Sequence, residues 1–278
     1  VFWERKGCRR QTFLFLYKND YHFLKSDFLS LSWIIYFLEV PNVIRIWELG
    51  QNQHPLDRAL LILGFACPNK SLEELISLTV GQRDAHLLKV RELTLGSQLN
   101  GSASCPHCQE RLEFDFQVAD ILMVDLNQVF EQEYSLTAEG FDLRFRLPNS
   151  QDLASIVGCR DSQKANSLLI QRCLLEVRCD ERSVIHQELP PTAIAKLTEQ
   201  IAEYDPQAEI QLALNCPACE HAWSAWFDIV DFFWTELTSQ AKRLLQEVHL
   251  LARFYGWREA DILSMSAVRR QSYLEMLS

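Results

Sequence analysis

Cys105-Pro106-His107-Cys108 and Cys216-Pro217-Ala218-Cys219 are the two stretches on which the reading of this chain turns. Each is a Cys-Pro-x-Cys unit between segments that alternate apolar and polar residues. Leu99 opens the segment before the first pair, and Leu112, Phe114, Phe116 and Val118 follow it at every second position. Ile210, Leu212 and Leu214 lead into the second pair, and Trp223 to Ile229 lead out of it. A period of two puts one face of a strand inward, so each pair is expected at the tip of a β-hairpin. Two such knuckles supply four thiolates, which is the ligand set of a closed tetrahedral zinc site. A closed site keeps no position for water or substrate. The pattern therefore predicts a structural zinc on Cys105, Cys108, Cys216 and Cys219 and points away from catalysis. Redox chemistry fits less well, because thioredoxin-type pairs head a helix and these sit between strands. Iron–sulfur clusters favour other spacings. His107 and His221 flank the pairs and, with four cysteines available, are expected at the exposed knuckle tips.

The chain has 278 residues, 48% of them hydrophobic, which is enough for a sizeable core in one or two domains. A formal net charge of −10 argues against broad binding to nucleic acid or to anionic membranes. Of nine cysteines, five (Cys8, Cys67, Cys159, Cys173, Cys179) are scattered in apolar or helical surroundings. Lone cysteines of that kind suit a reducing cytoplasm, and the odd total speaks against a secreted disulfide framework. Residues 1–42 stand apart. Their longest apolar run, Leu29 to Leu38, is far short of the ~20 residues that span a bilayer. No small-residue cleavage site follows it. Two readings remain for this extension: a segment that docks on the main domain, or upstream sequence placed before the native start. Regular patterning begins only near Val43, which favours the second.

Residues 43–96 read as a helical unit. Val43 to Gly50 forms a short helix or strand, and His54-Pro55-Leu56-Asp57 opens a helix with Pro in its first turn. Ser71 and Glu74 make a capping box. Gly81 breaks the chain, and Asp84 to Leu95 forms the next helix. The core of residues 97–230 holds the two hairpins, whose first cysteines lie 111 positions apart (105 to 216), with a helical insert over 119–208. That insert is expected to carry helices over Asp120–Val129, Lys164–Val177 and Pro191–Tyr204, a strand over Phe141–Leu147, and a helix capped at Ser150. Residues 231–278 form a helical segment, with a long helix to Tyr255, a break at Gly256-Trp257, and a last helix capped by Ser266. The fold class is thus α+β: a zinc-ribbon-like hairpin core with a helical insert and helical flanks.

No GxSxG, P-loop or HExxH motif is present, and His54 with Asp57 and Arg58 reads as a helix start rather than an acid–base pair. The helices of 244–277, with Arg269 and Arg270 on the last one, have the outline of a helix-turn-helix. Glu259, Asp261, Glu275 and the net acidity oppose DNA binding. Trp223, Trp226, Trp234 and Trp257 instead suit a docking surface for protein.

Several segments resemble a known family. They are His54-Pro-Leu-Asp-Arg-Ala-Leu-Leu, Gly81-Gln-Arg-Asp-Ala-His-Leu-Leu, the two CPxC pairs, Phe227-Asp-Ile and Phe233-Trp-Thr-Glu. The ending from Glu247-Val-His to Tyr273-Leu-Glu strengthens the likeness. Over roughly residues 43–278 the chain resembles baseplate-associated proteins of phage-like contractile injection systems. Its C-terminal part is similar to a small baseplate protein of contractile phage tails. The resemblance implies a non-enzymatic structural or assembly role and no catalytic residue. Its implied partners are other baseplate or tail-like particle proteins, with no nucleic acid, no membrane span and no small-molecule substrate. Docking is expected through Trp257, Arg269, Arg270 and Tyr273, in a cytoplasmic particle. The competing reading is a zinc-ribbon adaptor in transcription or nucleic-acid handling. It calls for a basic stripe on the ribbon, where the sequence offers little beyond Arg111.

Overall fold

The computed structural model describes residues 40–124, 131–179, 182–185 and 189–277. Residues 1–39 of the expected extension and the second half of the helix expected over 120–129 lie outside them. The described chain is mixed α and β, with eleven helices and eight strands in three small antiparallel sheets among the described residues.

Five helices build the main core: α1 (Val40–Gly50), α2 (Pro55–Ala66), α3 (Leu72–Ser77), α4 (Val80–Leu95) and the first half of a long C-terminal helix, Ile229–Tyr255. Ile46, Ile62, Leu63, Leu87, Leu88 and Phe233 are fully enclosed there. The start signals act as expected at α2, where the Nδ1 of His54 accepts the N–H of Leu56, and at α3, where Ser71 and Glu74 close a capping box. They differ at α4. Thr79 and Gln82 form a second capping box, so the helix starts at Val80 and Gly81 lies inside its first turn. Arg91 on α4 forks onto both carboxylate oxygens of Glu236 at 3.0 and 2.6 Å, and also donates to the carbonyl of Gly96. That pair locks α4 to the long helix.

Two hairpins grow out of this core: β1 (Gln98–Ser104) with β2 (Arg111–Gln117), and, far along the chain, β7 (Gln211–Asn215) with β8 (Ala222–Trp226). Leu99, Val118, Ile210 and Ile229 root them in the helical core. Gly101 pairs across from Phe114, and a Cβ there would sit 2.7 Å from the ring, so only glycine leaves the ring its place.

Between the hairpins lie a one-turn helix, α5 (Val118–Ile121), and a subdomain with its own apolar cluster around Leu143, Phe145, Val177 and Leu197. The insert carries more sheet than the single strand expected over Phe141–Leu147. The segment holds helices α6 (Ser150–Ile156), α7 (Ser162–Cys173) and α8 (Pro191–Tyr204), but also a four-stranded sheet. Its strands run in the order β3 (Tyr134–Ala138), β4 (Phe141–Phe145), β5 (Leu174–Cys179), β6 (Arg182–Ser183). The helix expected over 164–177 stops at Cys173, because Leu174 to Cys179 pair with β4. The strand β3 was missed, although Glu139 and Gly140, both at positive φ (54° and 83°), mark a two-residue hairpin turn behind alternating residues. The helix expected to be capped at Ser150 takes its cap from Asn149 instead.

The subdomain's outgoing and returning chains are stitched together where they leave the core. Gln207, fully buried, accepts from the N–H of Met123 and donates to the carbonyl of Ile121. Asp205, at the end of α8, accepts from the N–H of Gly81 at 2.9 Å, so a carboxylate meets the N-terminus of α4. Two predictions arise here. Gly→Ala inside a helix usually stabilises by about 1 kcal/mol, but a Cβ on Gly81 would overlap Oδ1 of Asp205 and lie 3.0 Å from the N of Ala208. Gly81→Ala is therefore expected to destabilise by about 1–3 kcal/mol in urea unfolding; a gain in stability would contradict this packing.

The second concerns pH. Burial, with a smaller contribution from the nearby Asp84, pushes the Asp205 carboxyl up to about 6, against the pull of the Gly81 N–H, Thr79 and Arg83. The folded value lies above the unfolded one, so this group's contribution is full below about pH 4 and is lost as pH rises through 6. Asp205→Asn keeps an acceptor for the Gly81 N–H without a charge to bury. Its urea midpoint should hold between pH 4 and 6 while that of the parent falls relative to it. Parallel curves for the two proteins would count against the assignment.

The C-terminal end follows the sequence closely. The long helix, α9 (Ile229–Tyr255), is capped by Gly256 in the left-handed region at φ 69°, and α10 (Glu259–Leu263) and α11 (Ala267–Glu275) follow, with Ser266 capping the last. Among the described residues no helix is long and apolar enough to cross a membrane.

Candidate metal centre

Each cysteine pair sits in the same turn. In the first, the N–H of Cys105 donates to the carbonyl of Glu110 and the N–H of Gln109 to that of Cys105, both at 2.9 Å. In the second, the N–H of Cys216 donates to the carbonyl of His221 at 2.9 Å and the N–H of Glu220 to that of Cys216 at 2.8 Å. Gln109 and Glu220 occupy the matching place in each turn and both adopt positive φ, 65° and 60°. The two knuckles are thus one structural unit used twice.

The hairpins lean together through their half-buried faces, where Phe116 meets Phe227 edge-on with ring centres 5.5 Å apart. At the tips all four sulfurs lie within 4.8 Å of one another. Two close approaches cross between the hairpins, Cys105 to Cys219 at 3.7 Å and Cys108 to Cys216 at 3.5 Å. A disulfide needs about 2 Å, so these are four separate thiols. Cys105 and Cys216 are buried, Cys219 half-buried and Cys108 exposed. Among the described residues this is the one place where three or more Cys, His, Asp or Glu ligand atoms converge in this way. Four cysteines so placed can hold a metal ion.

The electrostatics suit a cation. Burial opposes ionisation of Cys105, but the N–H groups of Cys108 and His107 outweigh it and bring the thiol down to about 7. For Cys219 the N–H of His221 favours the thiolate, yet burial and the three sulfurs around it push it up to about 12. Four sulfurs this close cannot all ionise without positive charge among them.

His107 and His221 are exposed and outside the sulfur cluster. They stack on each other at 5.6 Å, and His221 continues onto Trp223 at 6.2 Å. This cross-hairpin stack went unforeseen, because nothing in the spacing of His107 and His221 puts the two tips side by side. The docking residues expected from sequence are not brought into the metal cluster, and most are engaged within the fold. Trp234 is buried under the guanidinium of Arg58, 4.5 Å from its ring centre. Trp257 stacks on Tyr255 at 4.5 Å and meets Tyr273 edge-on at 4.7 Å, fastening α11 to α9. Arg270, expected on the surface, is 3% exposed and binds Glu247 at 2.9 Å. Arg269 stays exposed, its guanidinium 5.8 Å from the ring centre of Tyr273, and Trp226 is also exposed.

A family described as T4 bacteriophage base plate protein matches residues 65–234, more than half of the chain. The chain belongs to this base plate family. No curated protein and no solved structure matches it. The base plate match takes in both hairpins, all four clustered cysteines and the whole inserted subdomain, and ends at Trp234 in the second turn of α9. The rest of α9, with α10 and α11, lies beyond the matched base plate region.

Proposed function

We propose that this protein is a non-enzymatic structural or assembly component of the baseplate of a contractile, phage tail-like injection system, stiffened by one structural zinc. Membership of the base plate family, which makes a structural baseplate part the general expectation, carries the reading. The four-sulfur cluster supports the zinc. A tetrahedron with Zn–S bonds of about 2.3 Å has sulfur–sulfur edges of about 3.8 Å, close to the 3.5 and 3.7 Å across the hairpins. Cys105, Cys108, Cys216 and Cys219 would hold the ion, which would supply the positive charge the cluster needs and tie together hairpins separated by a whole subdomain. Four sulfur ligands fill a tetrahedron and leave no position for a reacting water. Docking falls to the C-terminal helices, ordered on α9 by Trp257, Tyr273 and Arg270, with Arg269 on the outside. The partners are other tail-like particle proteins in the cytoplasm.

The test is affinity capture of the tagged full chain from its native cell, with mass spectrometry of stoichiometric companions. Recovery of sheath, tube, spike or wedge proteins is the expected result. Recovery of transcription or nucleic-acid machinery in their place would overturn it.

A further inference from the structure

The second half of α9 runs past the helical core. Its buried residues up to Leu244 belong to the main apolar cluster, with Leu245 packed against it, whereas Leu251, also buried, is outside that cluster; α10 and α11 pack against the same helix. The opposite face is open. At 100° per residue, Lys242, Arg243, His249, Leu250, Arg253 and Phe254 share one half of the helix, and all six are exposed. Leu250 and Phe254, one turn apart, leave 41% and 59% of their surfaces to solvent. Leu245, Gln246, His249 and Leu250 line a shallow depression beside them. Among the described residues Lys242 and Arg253 form no ion pair, and Arg243 reaches only Glu247 at 3.8 Å. Residues 237–277 hold six basic residues and four acidic ones, in a chain with 27 basic and 37 acidic residues overall. This end thus carries a small positive balance in an acidic protein.

We infer that this face of α9 seats an amphipathic helix of a different protein, with Leu250 and Phe254 under its apolar stripe and Lys242, Arg243 and Arg253 against its acidic flank. Two apolar side chains one turn apart beside a shallow depression suit a helix as occupant. The charge selects which helix. A second copy docking through the same face would set its cations against their equivalents. A membrane or nucleic acid is a large polyanion that meets the field of the whole chain, net −10. A short acidic helix senses mainly charges within about 8–10 Å at physiological salt, and on this face Lys242, Arg243 and Arg253 outnumber Glu247. The inference deepens the docking role proposed above and rests on it only for the partner's membership of a particle.

The test places a photo-reactive benzoylphenylalanine at position 254 of the full chain in its native cell, and at Leu72, an exposed apolar residue on α3, as control. The expected result is one dominant adduct from position 254, to a predicted helical segment of another chain with an excess of Asp and Glu. Lys242→Glu with Arg253→Glu, checked for unchanged helicity by circular dichroism, should reduce that adduct at least tenfold. Adducts to this chain's own peptides, to lipid or nucleic acid, or to a basic or neutral segment would each overturn the inference. So would an adduct that survives charge reversal, or none above the Leu72 control. An acidic helical partner from outside a tail-like particle would leave the inference standing and overturn the baseplate reading instead.

Discussion

Cys105→Ser is expected to lower the melting temperature by more than about 10 °C, and treating the parent protein with a strong zinc chelator should do the same. Loss of a structural metal belongs to the small class of changes with very large effects, and in a chain of this size even about 1 kcal/mol moves the midpoint by a few degrees. The reason lies in where the cluster sits. The two hairpins are anchored in the helical core only at their bases, through Leu99, Val118, Ile210 and Ile229. Toward their tips the outward positions are exposed and the inward ones only half-buried. Little apolar surface holds the tips together, so the sulfur cluster is the main link between them. With a zinc ion on the four sulfurs, a single serine would leave three thiolates and one weak oxygen donor, and the ion would be lost. Cys159→Ser, at a half-buried cysteine away from the cluster, is the matched control and should leave the midpoint within about 2 °C. Elemental analysis should find one zinc per chain. After cobalt substitution, the spectrum should be that of a four-thiolate tetrahedral site, unchanged by added cyanide. A zinc-free parent of full stability, or a cobalt site that takes up cyanide, would remove the structural zinc from the account.

Asp152→Ala is the second large effect, at about 3 kcal/mol in urea unfolding. The carboxylate of Asp152 is fully enclosed. One oxygen takes Arg146 at 2.6 Å and the N–H of Asn149 at 3.0 Å, and the other takes Arg146 at 2.9 Å and Arg172 at 2.8 Å. Asp152 thereby joins α6, the end of β4 and α7. Removing one partner of a buried pair costs about 3–5 kcal/mol because the other charges stay behind unpaired. The lower end applies, since Arg146 and Arg172 keep 28% and 34% of their side chains in water. The pH dependence runs opposite to that of Asp205. Burial alone would raise the Asp152 carboxyl, but its hydrogen bonds from Arg146 and Asn149 hold it below the usual range. Its contribution is present above about pH 4 and disappears as the solution is acidified further. A loss below about 1 kcal/mol at pH 7, or one unchanged at pH 3, would mean that the pair does not hold the subdomain together.

Local chemistry decided much of the fold. Ser71 with Glu74, Pro191, Gly96, Gly256 and Ser266 start or stop helices for reasons confined to a few neighbouring residues, and the structure places those ends where they act. The hairpins were legible because alternation along Leu112–Phe116 and Ile210–Leu214 is a one-dimensional pattern. Local chemistry also misled where two signals competed. Leu168, Leu169 and Cys173 continue into Leu174 and Val177 at a spacing that suits a helix, and only pairing with Phe141–Phe145 makes the second part a strand. Gly81 reads as a breaker until Asp205, 124 residues away, occupies the space its missing Cβ leaves.

By itself, then, the sequence determined the elements with short-range causes: capped helices, two knuckle-tipped hairpins, and cysteines paired at matching turns. The tertiary structure alone decided which elements meet. It brought four sulfurs within 4.8 Å across a whole subdomain. It turned Arg270 and Trp234 inward, and it left Leu250 and Phe254 facing out. The physical reason is range. Capping and alternation act over two to four residues, whereas burial and ion pairing depend on what the rest of the chain sets against each side chain.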